Sequence, residues 1–172
     1  MRGRADRGAR RCRAVADPPP RSAIVRAMYV LVVGCGRVGS SIAKSMLAEG
    51  HEVSVLDENP EAIALLNRNQ PESWEDLGGS FTVGTALEID ALLSAGIESA
   101  DAFVASTNGD NTNLVIAQVA QRRFAIDRVV VRVLDPGRAK WYAQQGLKTV
   151  CPTQTAIELL EAAVRGEAVG SA

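Results

Sequence analysis

The chain has a single histidine, His51, and only three cysteines, Cys12, Cys35 and Cys151, in 172 residues. One histidine excludes a multi-histidine metal centre, and no pairing of a serine nucleophile with a histidine is recognisable. His51 itself falls on a predicted turn between a helix and a strand, a structural position. The cysteines are odd in number and widely spaced, with no C-x-x-C pair, and read as reduced thiols of a cytosolic protein. No Tyr-x-x-x-Lys pair and no metal-spaced set of His, Cys or Asp occurs. No apolar run approaches 18 residues, so no segment reads as a membrane-spanning helix.

Charge is unevenly placed. Residues 1–27 carry eight Arg against Asp6 and Asp17, a net of +6, leaving 11 basic and 18 acidic residues, net −7, for residues 28–172. The first 27 residues have Arg-Gly repeats and a proline run, with no apolar stretch able to build a core or a signal peptide. They are expected to be a disordered basic extension upstream of a domain that starts at Met28. They are too polar for a helix-turn-helix, and no nucleic-acid partner is expected.

With 47% hydrophobic residues, the remainder suffices for one buried domain. It alternates strand and helix signals six times, predicting strands at Tyr29–Val33, Glu52–Leu56, Ser80–Val83, Ala102–Ala105, Val129–Val133 and Lys148–Cys151. The helices between them are expected from Val38, after Pro60, over Glu88–Ala95 and Asn111–Arg123, from Pro136, and over Thr155–Arg165. Residues 67–79 read as a surface connection in which Trp74 is a lid. This pattern predicts an α/β, doubly wound, parallel six-stranded sheet of Rossmann type, with strand order 3-2-1-4-5-6 over residues 28–165. Residues 166–172 are expected to be a flexible tail.

The first strand runs into Gly34-Cys-Gly-Arg-Val-Gly39, the G-x-G-x-x-G spacing. Gly34 allows a tight turn, Gly36 a close approach of backbone to a pyrophosphate, and Gly39 close packing of helix on strand. Asp57 follows Gly39 by 18 residues at the end of the second strand, where a carboxylate accepts hydrogen bonds from a ribose. The adjoining Glu58-Asn-Pro-Glu61 has no cation for a 2′-phosphate, which favours NAD(H) or an adenine nucleotide with a free ribose. Arg37 is in reach of a terminal phosphate or is a plain solvent-facing residue. Thr85, Ala86, Thr107 and Asn108 follow strands three and four, where ligands of parallel sheets bind. Arg132 interrupts an apolar strand and needs a partner if buried. Val115, Ile116 and Val119, or the final helix, form either a dimer face or core.

Gly34-Cys-Gly-Arg-Val-Gly39, Gly50-His-Glu-Val-Ser-Val-Leu-Asp57, Gly84-Thr-Ala86, Leu93-Ser-Ala-Gly-Ile97, Thr107-Asn-Gly-Asp-Asn-Thr-Asn113, Arg132-Val-Leu-Asp-Pro136 and Cys151-Pro-Thr153 occur in this order. The ordered set resembles the RCK N-terminal, or TrkA-N, domain of Trk/Ktr potassium-uptake regulatory proteins. The resemblance implies a cytoplasmic subunit that binds NAD(H) or ATP/ADP, forms a homodimer or higher homo-oligomer, and gates a membrane potassium channel or transporter from the inner face. It assigns phosphate contacts to Gly34, Cys35, Gly36, Arg37, Val38 and Gly39, the ribose to Asp57, the adenine side to Thr85 and Ala86, and the far half of the ligand to Thr107. Many members carry Gly-Asp-Ala-Thr where this chain has Gly84-Thr85-Ala86-Leu87, so an acidic and a hydroxyl contact are missing. The resemblance does not extend to the family's smaller C-terminal subdomain. An NAD-dependent oxidoreductase shares the fold and the glycine fingerprint. It lacks support here from any substrate domain or proton donor, and the expected protein is not an enzyme.

Overall fold

The computed structural model describes residues 27–168. The expectations for residues 1–26 and 169–172 lie outside the described residues. Six strands, β1 (Tyr29–Val33), β2 (Glu52–Asp57), β3 (Ser80–Val83), β4 (Ala102–Ala105), β5 (Arg128–Arg132) and β6 (Lys148–Val150), form one sheet ordered β3-β2-β1-β4-β5-β6. Every neighbouring pair is parallel, as the alternation with helices requires. The expected doubly wound order is the observed one.

Alternation along the strands builds two cores. Val30 and Val32 of β1, with Val53 and Val55 of β2, face one side, where they pack with Ala43, Leu66 and Trp74. Leu31 and Val33, with Phe103, Ala105, Val129 and Val131, face the other and pack with Leu92, Leu114 and Ile116. Helices α1 (Arg37–Ala48) and α2 (Ile63–Asn67) therefore cover one face, and α3 (Ile89–Ser94), α4 (Asp110–Arg123) and α5 (Pro136–Gln144) the other. A fully buried strand side chain of this kind contributes about 1.5–3 kcal/mol, so burial on both faces holds the sheet.

Several boundaries differ from the sequence reading. Asn59 accepts the amide of Glu61 at 2.9 Å, as a cap should, but the turn it opens is a 3-10 turn, Pro60–Ala62, leading into the five residues of α2. β5 sits one residue earlier than expected. Helix α6 (Pro152–Val164) starts three residues early, because Cys151 is its N-cap: the sulfur accepts the amide of Gln154 at 3.4 Å and Pro152 occupies the first helical position. That Cys-Pro signal was visible in the sequence.

Trp74 is more than a surface lid. It is fully buried, its Nε1 donates to the Ser80 carbonyl at 3.0 Å, and its ring lies against Gly79, where a Cβ would collide with it. His51 is structural as expected: it is buried, and its Nδ1 accepts the Met28 amide at 3.3 Å.

Candidate functional site

The chain runs outward from β1 to β2 and β3, then crosses back to β4 on the other side, so a crevice opens beyond the carboxyl ends of β1 and β4. It is a cleft of about 670 Å³, a volume suited to a small-molecule ligand. Gly34, Cys35, Gly36, Asp57, Thr85, Ala86 and Thr107 line it, whereas Arg37, Val38 and Gly39 do not.

The three glycines of the turn answer to three different constraints. Gly34 has φ +98°, and a Cβ there would meet the Thr107 amide at 2.6 Å, so the turn is pinned against the β4–α4 loop. Gly39 faces the Gly34 carbonyl so closely that a Cβ would collide with it. At Gly36 nothing lies within 4 Å of where a Cβ would be. The protein leaves backbone bare toward open space, which is the cradle a phosphate needs.

Gly36 is also the N-cap of α1, and no side chain caps this helix. The first intrahelical bond is from the Ser40 amide to the Gly36 carbonyl at 2.9 Å. The amides of Arg37, Val38 and Gly39 precede it and belong to the set that a helix leaves unpaired. They suit an anion, aided by the positive end of the helix dipole. The side chains of Arg37 and Val38 are exposed and outside the cleft lining, so neither presents a side chain to it.

Cys35 offers no side chain either. It is buried in the core beneath the turn, with its sulfur 3.4 Å from the Ala62 carbonyl. Burial, reinforced by the Asp57 carboxylate and partly offset by Lys44, pushes its thiol up to about 11. Its amide donates to Asp57 Oδ2 at 2.5 Å, while Asp57 Oδ1 accepts from the Asn59 amide at 2.9 Å. Asp57 thus ties the glycine turn to the start of the next turn, and each oxygen retains a lone pair for a hydroxyl donor.

Thr107 lines the cleft with its hydroxyl already committed. Its Oγ1 donates to Asn113 Oδ1 at 2.7 Å and accepts the Gly109 amide at 3.3 Å. Asn113 is fully buried and uses all its capacity: Oδ1 also accepts the Thr107 amide, and Nδ2 donates to the carbonyls of Thr107 at 2.9 Å and Arg132 at 3.0 Å. Ser106 is likewise buried, its hydroxyl lying 3.0 Å from the Gly34 carbonyl. Sequence reasoning assigned no role to Asn113 or Ser106. A signal existed for Asn113, which shares the apolar stripe of Ile116, Ala117 and Ala120 at helical spacing.

Asp57, Glu58 and Glu61 line the cleft with no Lys, Arg or His among its lining residues. Arg132 lies on β5 outside the cleft, and its buried Nε has no partner among the described residues.

The family model for the TrkA-N domain matches residues 30–153. The Trk system potassium uptake protein TrkA of Streptomyces coelicolor is 37% identical over 134 residues, covering 77% of this chain and 57% of that protein. The chain spans roughly half the length of the curated relatives it matches. Among solved structures, the Shewanella denitrificans Kef CTD in AMP-bound form has a TM-score of 0.64 at 22% identity, covering 82% of this chain and 84% of that one. The GsuK channel bound to NAD has a TM-score of 0.55 at 14% identity, covering 76% and 22%. At such identities these two likenesses show the fold alone.

Proposed function

Because the chain belongs to the TrkA-N family, we propose that it is the nucleotide-sensing module of a potassium transport system, not an enzyme. The observation that carries this reading is the bare Gly36 backbone and the Asp57 carboxylate lining one cleft, with the uncapped start of α1 beginning at Gly36. A phosphate takes the amides of residues 36–39, and a ribose takes the free lone pairs of Asp57. A 2′-phosphate would instead meet Glu58 and Glu61, which favours NAD(H), or ATP and ADP, over NADP(H). The fold neighbours holding AMP and NAD support a ligand of this chemistry. The lining offers no Lys, His or Tyr to pass a proton, which favours sensing over hydride-transfer chemistry.

The partner we infer is a membrane potassium transporter or channel subunit, as the name of the Streptomyces relative suggests. No helix among the described residues is long and apolar enough to cross a membrane; with a membrane partner of this kind, the reading puts the module at the cytoplasmic face, held by that partner. A ligand can act through such a module only by binding two of its arrangements unequally. A second copy of the chain supplies those arrangements. Helix α6 buries none of its residues, and Ile157, Leu160 and Val164 are exposed at helical spacing.

Calorimetry with NAD, NADH, ATP and ADP tests the reading. At least one is expected to bind, and Asp57→Asn to weaken it about tenfold or more, since a hydrogen bond to a charged group contributes ~1.5–3 kcal/mol. A folded protein that binds none of the four would sink the proposal.

A further inference from the structure

The sheet ends in β3 on one side and β6 on the other, and the chain charges these two ends oppositely. Residues 69–100, which supply β3 and α3, hold Glu72, Glu75, Asp76, Glu88, Asp90 and Glu98, all exposed, and no Lys or Arg. Residues 122–150, which supply the end of α4 with β5, α5 and β6, hold seven Lys and Arg against Asp127 and Asp135. Neither set is neutralised by ion pairs: among the described residues these are made by Arg165 alone, to Glu161 and Glu167.

Each end also keeps large apolar side chains in water. Val83 closes β3 at 52% exposure, while Trp141 of α5 and Val150 of β6 are 54% and 49% exposed. Helix α5 is tied to β6 by the Thr149 hydroxyl, which donates to the Ala139 carbonyl at 3.0 Å. Lys140 and Lys148, on the same two elements, are exposed. The Trp141 ring stands edge-on to Tyr142 with centroids 4.7 Å apart, and Tyr142 packs on the core. An exposed tryptophan held in place and set among cations has the character of an interface anchor.

We propose that the chain associates head to tail through these two ends, the acidic β3 end of one copy receiving the basic β6 end of the next, with Trp141 as the apolar anchor. The occupant is a second copy because one molecule carries both halves of the match. A symmetric contact between two β6 ends would set base against base, and one between two β3 ends acid against acid, which like-charge repulsion disfavours. A heterologous contact pairs opposite signs and leaves one free end of each sign, so further copies can add. The proposal does not depend on the nucleotide reading.

The test is sedimentation velocity on the full chain and on Val83→Lys and Trp141→Glu, which spoil the β3 end and the β6 end in turn. At low salt, wild type is expected to form species larger than either variant forms, and to lose them at about 1 M salt, where charges are screened beyond ~3 Å. An equimolar mixture of the two variants should again form larger species, of roughly twice the mass seen in either alone or more, because each supplies the end that the other lacks. That recovery would also show both variants to be folded. Trp141→Phe, which keeps an aromatic anchor, should associate as wild type does. A wild-type chain of the same size at low and high salt would overturn the proposal. So would large species that persist in Trp141→Glu, a mixture that sediments as the sum of its parts, or equal losses in Trp141→Phe and Trp141→Glu.

Discussion

Cys35 illustrates how one residue can occupy a signature motif for packing alone. Its amide is spent on Asp57 and its sulfur lies in the core, so the position needs a small side chain more than it needs a thiol. The thiol's raised value, about 11 against an ordinary 9.0, means that the folded state resists forming the thiolate. The unfolded chain ionises first as pH rises. The stability tied to the neutral thiol is therefore whole below pH 9 and is lost as pH climbs toward 11. Urea midpoints measured at pH 8.5 and 10.5 should fall more for wild type than for Cys35→Ala; equal falls would show that other groups carry the loss. The thiol's burial was not legible in the sequence, where Cys35 is only a small residue between two glycines.

Among elements, α4 does the most to position the cleft, and it does so through polar contacts. Asn113 fastens the β4–α4 loop to the end of β5, and Asp110, in the same helix, accepts the amides of Leu134 at 2.8 Å and Asp135 at 3.1 Å. Asp135 in turn caps α5 through the Arg138 amide at 2.7 Å. Three successive segments are thus joined where the second half of a ligand would lie. Asn113→Ala would strand the half-buried Thr107 amide and two carbonyls, costing about 2–4 kcal/mol, read as a lowered midpoint in chemical denaturation. Nucleotide affinity should fall as well, because the Gly34 turn leans on Thr107. The glycine turn, Asp57 and the caps at Asn59 and Asp135 were legible because each is a local requirement of backbone or spacing. The Asn113 clasp was not, since its four bonds reach two separate segments.

For the whole molecule, α6 is the element that the single chain does not use. The sequence left the final helix and Val115, Ile116 and Val119 open as core or dimer face. The structure buries Ile116 in the core but leaves α6 without a buried residue, and Leu160 is 68% exposed. A second copy of the chain would give α6 the apolar cover that its own chain does not. Leu160→Glu is then expected to move the protein toward its monomer mass of 18.2 kDa in sedimentation analysis, with little change in melting temperature. A wild-type chain already monomeric at high concentration would contradict this.

The sequence by itself determined the class of sheet, the strand order and the phosphate turn. These follow from periodicity, from glycine where a Cβ cannot fit, and from the handedness of parallel crossovers, all of which act over a few residues at a time. Only the tertiary structure decided which of the motif residues face the cleft. It turned Cys35 inward, kept the Arg37 and Val38 side chains outside the cleft lining, engaged Thr107 with Asn113, and set Leu87 at the mouth. Those outcomes depend on what segments far apart in sequence present to one another when the two cores close, and local pattern carries no record of that.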